Sequence, residues 1–478
     1  MGEKASRESF QPILTNYNTQ LGWLNSLITD PTGLRYLRPK PKEERLRDFE
    51  ASRDRITAFL AFLGDPQNKY PSVHIAGTGG KGSVTVIIGK ILQRAGFKTG
   101  VHTSPYLQAP IEKWAIDGKM VSPSIFASSI ETLQPFYDSF VTSHPDKRPN
   151  YGETQAALTH RLFADRSVDF AVIETGMGGR YDPTNVLNPE IAVITNVDYD
   201  HVDQIGPTLT DIAAHKAGII KPGKPVVTAA IQDEVLDVIG KEAQEKKAPL
   251  FTLGKDFSFQ IKSYDQNGIV VEIKTPFGTY RNIRIPLVGL FQAQNAALAV
   301  AACDALAQQK GFRLDEKMIN DSLANLQFPG RMEKIQTNPT VILDGAHNPQ
   351  KMRALAETME KLYPDKSYYL IVGMLATKDA KQSLAHLLPQ AKKVIATKPH
   401  LIGKPSTSSQ QIAQIVKEGK PEIEVDQYDT ALEAVQQVIE EAASDDIILI
   451  TGSLYMLGEA RIYWYPTDQI LFEAEYSS

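Results

Sequence analysis

The sequence predicts an α/β protein in two parts. The first is a large domain on a mostly parallel, doubly wound sheet with a small antiparallel sheet attached; the second is a smaller Rossmann-like α/β domain. Three observations carry this. Short β-branched runs alternate with helical stretches from residue 72 onward, the pattern of strands joined by crossover helices. Around 255–287 the text changes to period-two alternation with an Asn-Gly turn at 267–268, as in an antiparallel hairpin insert or flanking sheet. After "FPGRME" (328–333) the strand–helix alternation resumes. At 478 residues the chain is long enough for two or three cores.

The elements follow in order. Residues 1–70 are mostly polar and helical in pattern, and 1–45 read as a polar N-terminal extension. "PKEERLRDFEASRDRITAFLAFLG" (41–64) has a charged start and an apolar finish stopped by Gly64 and Pro66. "SVHIAG", "KTGVHT", "DFAVIETG", "EIAVITN" and "KPVVTA" each read as a buried strand. "SVTVIIGKILQRAG" places apolar residues at 84, 87, 88, 91 and 92 on one helix face ending at Gly96. "FQAQNAALAVAACDALAQQKG" (291–311) is a strong helix. A boundary near 326–332 divides residues 1–328 from 329–478, where "TVILDGA", "YYLIVGM", "KKVIATK" and "DIILITGS" supply strands.

Composition narrows the function classes. Hydrophobic and charged fractions of 42% and 22% are those of a soluble globular protein. A net charge of −5 argues against nucleic acid as the main partner, although a basic pocket for a small anion fits inside an acidic protein. The lone Cys303 forms no intrachain disulfide and no zinc cluster, and reads as a buried helix residue. No apolar run reaches membrane-spanning length, and the N-terminus lacks a signal-peptide layout. The expectation is a cytoplasmic protein without a membrane partner.

"SVHIAGTGGKGSV" (72–84) is a near match to the phosphate loop G-x-x-x-x-G-K-[ST]. Gly80 and Lys81 fit, but the hydroxyl arrives one place late at Ser83, and Ile75 holds the first glycine's position. A strand precedes the loop and an amphipathic helix follows. Gly77, Gly79, Gly80 and Gly82 let backbone N–H groups turn towards an anion. The helix N-terminus adds its positive end and Lys81 a full charge. The competing reading is a tight turn, for which two glycines would do and four are hard to explain.

Other strand ends carry polar residues. Glu174 closes "FAVIE", where open α/β sheets place ligands; it is either paired, cation-bound or fully in water. His201 lies among acids in "NVDYDHVDQIG" (196–206), as a metal ligand or a surface-loop residue. Lys216 precedes a glycine stop and reads alone as a helix-end cation. "VILDGAHNPQ" (341–350) sets Asp344 and His347 at a strand end with Asn348 as helix cap. Arg331 of "PGRM" offers a planar donor suited to phosphate.

In order, "HIAGTGGKGS", "TSPYL", "IETGMGGRYDPTNV", "DHVDQIG", "KAGIIKPG", "FQAQNAALA", "PGRME", "LDGAHNP", "GMLATKD" and "TGSLYMLGE" resemble one family over about residues 45–460. That family is the folylpolyglutamate synthase and dihydrofolate synthase group of the Mur ligases, whose loop is spelled GTNGKGS, so a late Ser83 is expected. The resemblance implies a P-loop-type, ATP-dependent ligase that joins L-glutamate to folate, with dihydropteroate as a further candidate acid, through an acyl phosphate. It implies Lys81, Lys216 and His347 as catalytic residues. It also implies a nucleotide site of Gly77, Thr78, Gly80, Lys81, Gly82, Ser83, Gln292, Asn295, Arg331, Asp344 and His347. Ser83, Ser104, Glu174 and His201 would serve two Mg²⁺ sites, Lys216 would be carbamylated, and Tyr106, Glu153, Arg180 and Asp182 would face substrate. A monomer is expected.

The chain departs from the family text in places. Gly79 stands where Asn is usual, losing a side chain that could brace the loop. Tyr106 replaces a usual His, Lys113 and Trp114 alter a segment near the expected pterin end, and His215 replaces the Glu before Lys216. Two other readings stay open: a Mur-type ligase acting on another acid, such as a peptidoglycan precursor, and a nucleotide-binding regulator without catalysis. Keeping Lys81, Ser104, Glu174, His201, Lys216 and His347 together argues against the second.

Overall fold

The computed structural model describes residues 2–38 and 40–476. Three sheets organise it. The first holds β1 (Ser72–Ala76), β2 (Thr99–His102), β3 (Trp114–Ile116), β4 (Lys119–Met120), β5 (Phe170–Glu174), β6 (Ile191–Ile194), β7 (Val226–Thr228) and β8 (Leu250–Thr252). Its order is β4-β3-β2-β5-β1-β6-β7-β8, parallel from β2 to β8, with β3 and β4 antiparallel at one edge. The central strands are buried along their whole length, which explains their continuous β-branched text.

β9 (Ser258–Asp265), β10 (Gly268–Lys274) and β11 (Thr279–Ile285) form a three-stranded antiparallel sheet, so the period-two segment is a flanking sheet with Asn267-Gly268 at its first turn. Its inner face shares a core with the helices Lys81–Arg94 and Phe291–Lys310. Cys303 is buried there.

β12 (Glu333–Gln336), β13 (Thr340–Asp344), β14 (Tyr368–Val372), β15 (Ala391–Ala396), β16 (Glu424–Gln427) and β17 (Ile447–Thr451) build the third sheet. Its order is β12-β13-β17-β14-β15-β16, with only β12 antiparallel. The four strands expected from sequence are its interior. β12 and β16 are short, half-exposed edge strands, and their polar text carries no hydrophobic signal.

Two terminal segments differ from expectation. The polar N-terminal extension is a packed element: Phe10, Tyr17 and Leu24 of helix Gly2–Ser26 are buried with Phe59 and Phe126. The last helix, Thr467–Tyr476, does not close the second domain but returns to this first core, where Phe472 meets Phe10 at 5.3 Å between centroids.

Candidate active site

Four adjacent strands of the first sheet deliver the candidate residues to one edge. β2 leads to Ser104, β5 ends on Glu174, β1 leads into the glycine loop, and β6 leads to Thr195–His201. Registration puts Glu174 beside Ile75 and Ile194 beside Ala76. The carboxyl edge of the third sheet supplies Asp344, His347 and the loop carrying Lys378. The two edges meet, because Lys378 Nζ sits 2.5 Å from Asp200 Oδ1.

The glycine loop is held from outside. Gly79 N–H donates to Asn196 Oδ1 at 2.7 Å and the Thr195 hydroxyl donates to Gly79 O at 2.6 Å. Thr78 Oγ1 donates to Asp198 O and accepts from Asp198 N–H, both at 3.0 Å. The loop that follows β6 therefore braces the glycine loop through the Gly79 backbone and the Thr78 hydroxyl, with no side chain needed at 79. Gly77 has φ +154° and a Cβ there would lie 1.7 Å from Thr195 Oγ1; Gly80 has φ +79° and would meet Asn295 Oδ1 at 2.2 Å. Only glycine fits at both.

Asn295 donates to Gln292 Oε1 at 3.0 Å, and Gln292 Nε2 is buried without a partner among the described residues. An unpaired buried N–H is costly, so this pair against the loop fits a ligand contact. Lys81 Nζ stands 3.7 Å from Glu174 Oε1, and Ser104 N–H donates to Glu174 Oε2 at 3.0 Å. Burial raises the Glu174 pKa against the pull of Lys81 and that N–H. Ser83 is buried in the first turn of its helix.

Lys216 is 3% exposed, on helix Leu209–Ala217. Lost hydration, then the Lys81 charge, lowers its pKa to about 7, with Asp200 opposing. His215 turns away from it, packing on the rings of Phe49 and Tyr181 at 5.8 and 5.5 Å. His201 is partly exposed at a left-handed φ of +54°, with Nε2 3.9 Å from Asp200.

On the other side, Asp344 accepts from Met332 N–H and Ala346 N–H, each at 2.9 Å, tying the "PGRM" turn to the end of β13. Arg331 lies half-buried nearby, its pKa lowered by lost hydration against the opposing charges of Asp344 and Glu174. His347 Nδ1 contacts Gly345 O at 2.7 Å and Nε2 contacts Lys351 Nζ at 3.0 Å. The ammonium donates, so Nε2 accepts and Nδ1 carries the ring proton. Burial, then Lys351, hold His347 neutral.

The substrate candidates divide. Arg180 lines a cavity of about 340 Å³ with Phe49, Tyr181 and His215, and pairs with Glu242 at 2.5 Å. Tyr106 lies at the junction of the two parts, 5.7 Å from the Tyr455 ring and 5.5 Å from Lys113 Nζ. Glu153 is fully buried, and its oxygens accept from Ser52, Arg55 and the Asn150 cap. Asp182 accepts from Met177 N–H and from the Thr184 N–H and hydroxyl, which close the loop it caps. Trp114 is fully buried with its N–H on Thr159, so it forms core rather than a substrate wall.

Sequence reasoning missed Lys351, Lys378, Asp200 and the Thr195–Asp198 brace. Lys351 and Lys378 lie in or next to quoted motifs, "LDGAHNP" and "GMLATKD". Nothing local says that they cross to the other sheet.

The family "Mur ligase middle domain" matches residues 75–303, and "Mur ligase, glutamate ligase domain" matches 330–454. The dihydrofolate synthase/folylpolyglutamate synthase of Bacillus subtilis is 33% identical over 411 residues, covering 85% of this chain and 93% of the relative. That of Mycobacterium tuberculosis is 32% identical over 437 residues, covering 86% and 90%. Mycobacterium tuberculosis folylpolyglutamate synthase complexed with ADP and AMPPCP superposes with TM-score 0.79 at 33% identity, over 87% of this chain and 95% of that one. Escherichia coli FolC in complex with DHPP and ADP gives 0.76 at 26%, over 92% and 96%.

Proposed function

The chain belongs to the dihydrofolate synthase/folylpolyglutamate synthase family of Mur ligases, and from that premise we propose that it joins L-glutamate to folate, and to dihydropteroate, at the expense of ATP. The observation that carries this is the meeting of two edges: a glycine loop with Lys81 on one, and Asp344, His347 and Arg331 on the other. Residues 1–328 would be the ATP-binding ligase domain and 329–478 the second ligase domain, apart from the helix that returns to the first core.

Two transfers account for the arrangement. A carboxylate oxygen of the acid attacks the γ-phosphorus of ATP; the bond to the bridging oxygen breaks and ADP leaves with its electron pair. The glutamate amine then attacks the acyl carbon of the acyl phosphate, the carbon–oxygen bond to phosphate breaks, and the amine gives up a proton. Both steps depend on positioning and on neutralising phosphate charge. Lys81 and the loop N–H groups would hold the β- and γ-phosphates. Gln292, Asn295 and Arg331 would contact the nucleotide, with Asp344 and His347 positioning the turn and strand end around it. A closed cleft would exclude water from the acyl phosphate.

Mg²⁺ fits the donors. Glu174 has one hydrogen bond and one distant ammonium, which leaves most of its lone pairs free. Among the described residues no cluster of three or more His, Cys, Asp or Glu forms a closed metal cage. Mg²⁺ usually takes one or two carboxylates with phosphate oxygens. Ser83, Ser104, Glu174 and His201 would share two such sites, and bound Mg²⁺ would offset phosphate charge. Carbamylation of Lys216 also fits, since only an unprotonated amine adds CO₂ and this one is held near 7. We further take the enzyme to be a cytoplasmic monomer without nucleic-acid or membrane partners. Among the described residues no helix is long and apolar enough to cross a membrane.

The test offers dihydropteroate, tetrahydrofolate and a muramyl peptide in turn, with ATP and L-glutamate, and follows phosphate release and product. Turnover with a pterin substrate is expected. Turnover with the muramyl peptide alone would move the chain to another acid. ATP binding without turnover on any acid would make it a regulator.

A further inference from the structure

Lys351 stands where a lysine is hard to explain structurally. It is the third residue of helix Pro349–Leu362, whose cap Asn348 accepts its backbone N–H at 3.0 Å. A cation in a first turn opposes the helix dipole. Burial lowers the pKa of its amine to about 7, and of the charges acting on it Asp200 favours the ammonium while Lys81, Lys378 and Arg331 oppose it. A site that gathers positive charge at this cost is built for an anion.

The second observation is Gly79. This glycine has an ordinary φ, and a Cβ there would lie 3.7 Å from Lys351 Cε and 3.6 Å from Asn196 Nδ2. The space a side chain at 79 would enter is therefore bordered by the Lys351 stem, which arrives from the other sheet. His347 fixes the far end of that stem at 3.0 Å and is itself anchored on Gly345 O.

Resting on the ATP-ligase reading, we propose that Lys351 is a further catalytic residue, a second phosphate-facing cation that the C-terminal part brings to the glycine loop opposite Lys81. It meets the γ-phosphoryl group when the cleft is closed, His347 is its positioning residue, and Gly79 leaves the room it needs. Charge on the transferring phosphoryl is then neutralised from both sides, and the second cation comes with closure. Phosphoryl transfer is tied to the closed form in this way.

The test compares Lys351→Met with wild type by calorimetric binding of ADP and of AMPPCP, and by turnover. Expected are an ADP affinity within about twofold, AMPPCP binding weakened about tenfold, and kcat lowered on the order of 100-fold. Lys351→Arg should recover part of the AMPPCP binding. Gly79→Asn, approached from the opposite side, should reproduce the AMPPCP defect, and adding it to Lys351→Met should cost little more. Equal loss of ADP and AMPPCP, or unchanged binding and kcat in Lys351→Met, overturns the proposal while leaving the ligase reading standing. A wild-type protein that binds neither nucleotide removes both.

Discussion

Lys378 Nζ lies 2.5 Å from Asp200 Oδ1, with both side chains about nine-tenths buried, and this pair joins the carboxyl edges of two separate sheets. Breaking one partner of such a pair strands a buried charge, at a cost of about 3–5 kcal/mol. Lys378→Met should therefore lower stability by about 3 kcal/mol in denaturant unfolding, and Asp200→Asn in the same chain should recover part of it. Burial works against the Asp200 charge, but His201 and Lys378 outweigh it and hold its pKa well below the usual value. A depressed carboxylate stabilises above its unfolded pKa and loses that contribution only as pH falls through the lower folded value. The contribution of this pair should thus be constant from pH 5 to 9, and a wild-type minus Asp200→Asn difference that varied across that range would contradict it.

Three of the four loop glycines should separate cleanly. Gly79→Ala adds a Cβ with no contact under 3.6 Å and should fold with a near wild-type melting temperature. Gly77→Ala and Gly80→Ala force positive φ and clashes with Thr195 and Asn295, and each should lose roughly 2 kcal/mol or more. Thermal melts with and without ATP would decide; equal behaviour of all three would mean that the loop geometry differs in solution.

Lys216 should make activity depend on bicarbonate. Its pKa of about 7 means the free amine grows as pH rises from 6 to 8, so activation by bicarbonate should grow over the same range. Lys216→Ala should abolish it. Full rate for that variant in bicarbonate-free buffer would exclude a carbamate. Stability runs the same way: a lysine depressed in the fold makes the unfolded chain bind more protons between about 7 and 10.4. Wild-type stability should climb through that window relative to Lys216→Met.

Glu174→Gln keeps the shape and an acceptor for Ser104 N–H but removes the charge. Mg²⁺-dependent turnover should fall by on the order of 100-fold with the melting temperature little changed. A variant that stays near wild-type rate would leave Glu174 with a purely structural role.

Glu153→Ala should do the reverse. Its carboxylate joins Arg55, Ser52 and the Asn150 cap, fully buried, so the loss should appear as about 3 kcal/mol of stability. The KM for the acid should stay unchanged in the folded fraction, and a raised KM with intact stability would place Glu153 at the substrate site.

Glu174, Asp344, His347 and the glycine loop were legible because each ends a buried strand, and strand ends follow from β-branched runs and their stops. The edge strands β12 and β16 were not, since short polar segments pair only by lying against a neighbour. Glu153 and Asp182 are hard to place from sequence for a related reason: a carboxylate looks alike whether it caps a helix or turn or meets a ligand. Only the hydrogen bonds around it tell the two apart.

By itself the sequence determined the alternation of strands and helices, the glycines, and the polar residues at strand ends, because periodicity and backbone freedom are local properties. Tertiary structure decided what those residues face. Thr195, Asn196 and Asp198 brace a loop more than a hundred residues earlier in the chain, and Lys351 and Lys378 reach the first sheet from the other one. Such contacts depend on how two sheets meet at their carboxyl edges. Gly79 shows the difference: in the text it is a missing side chain, and in the fold it is the space beside a lysine from across the cleft.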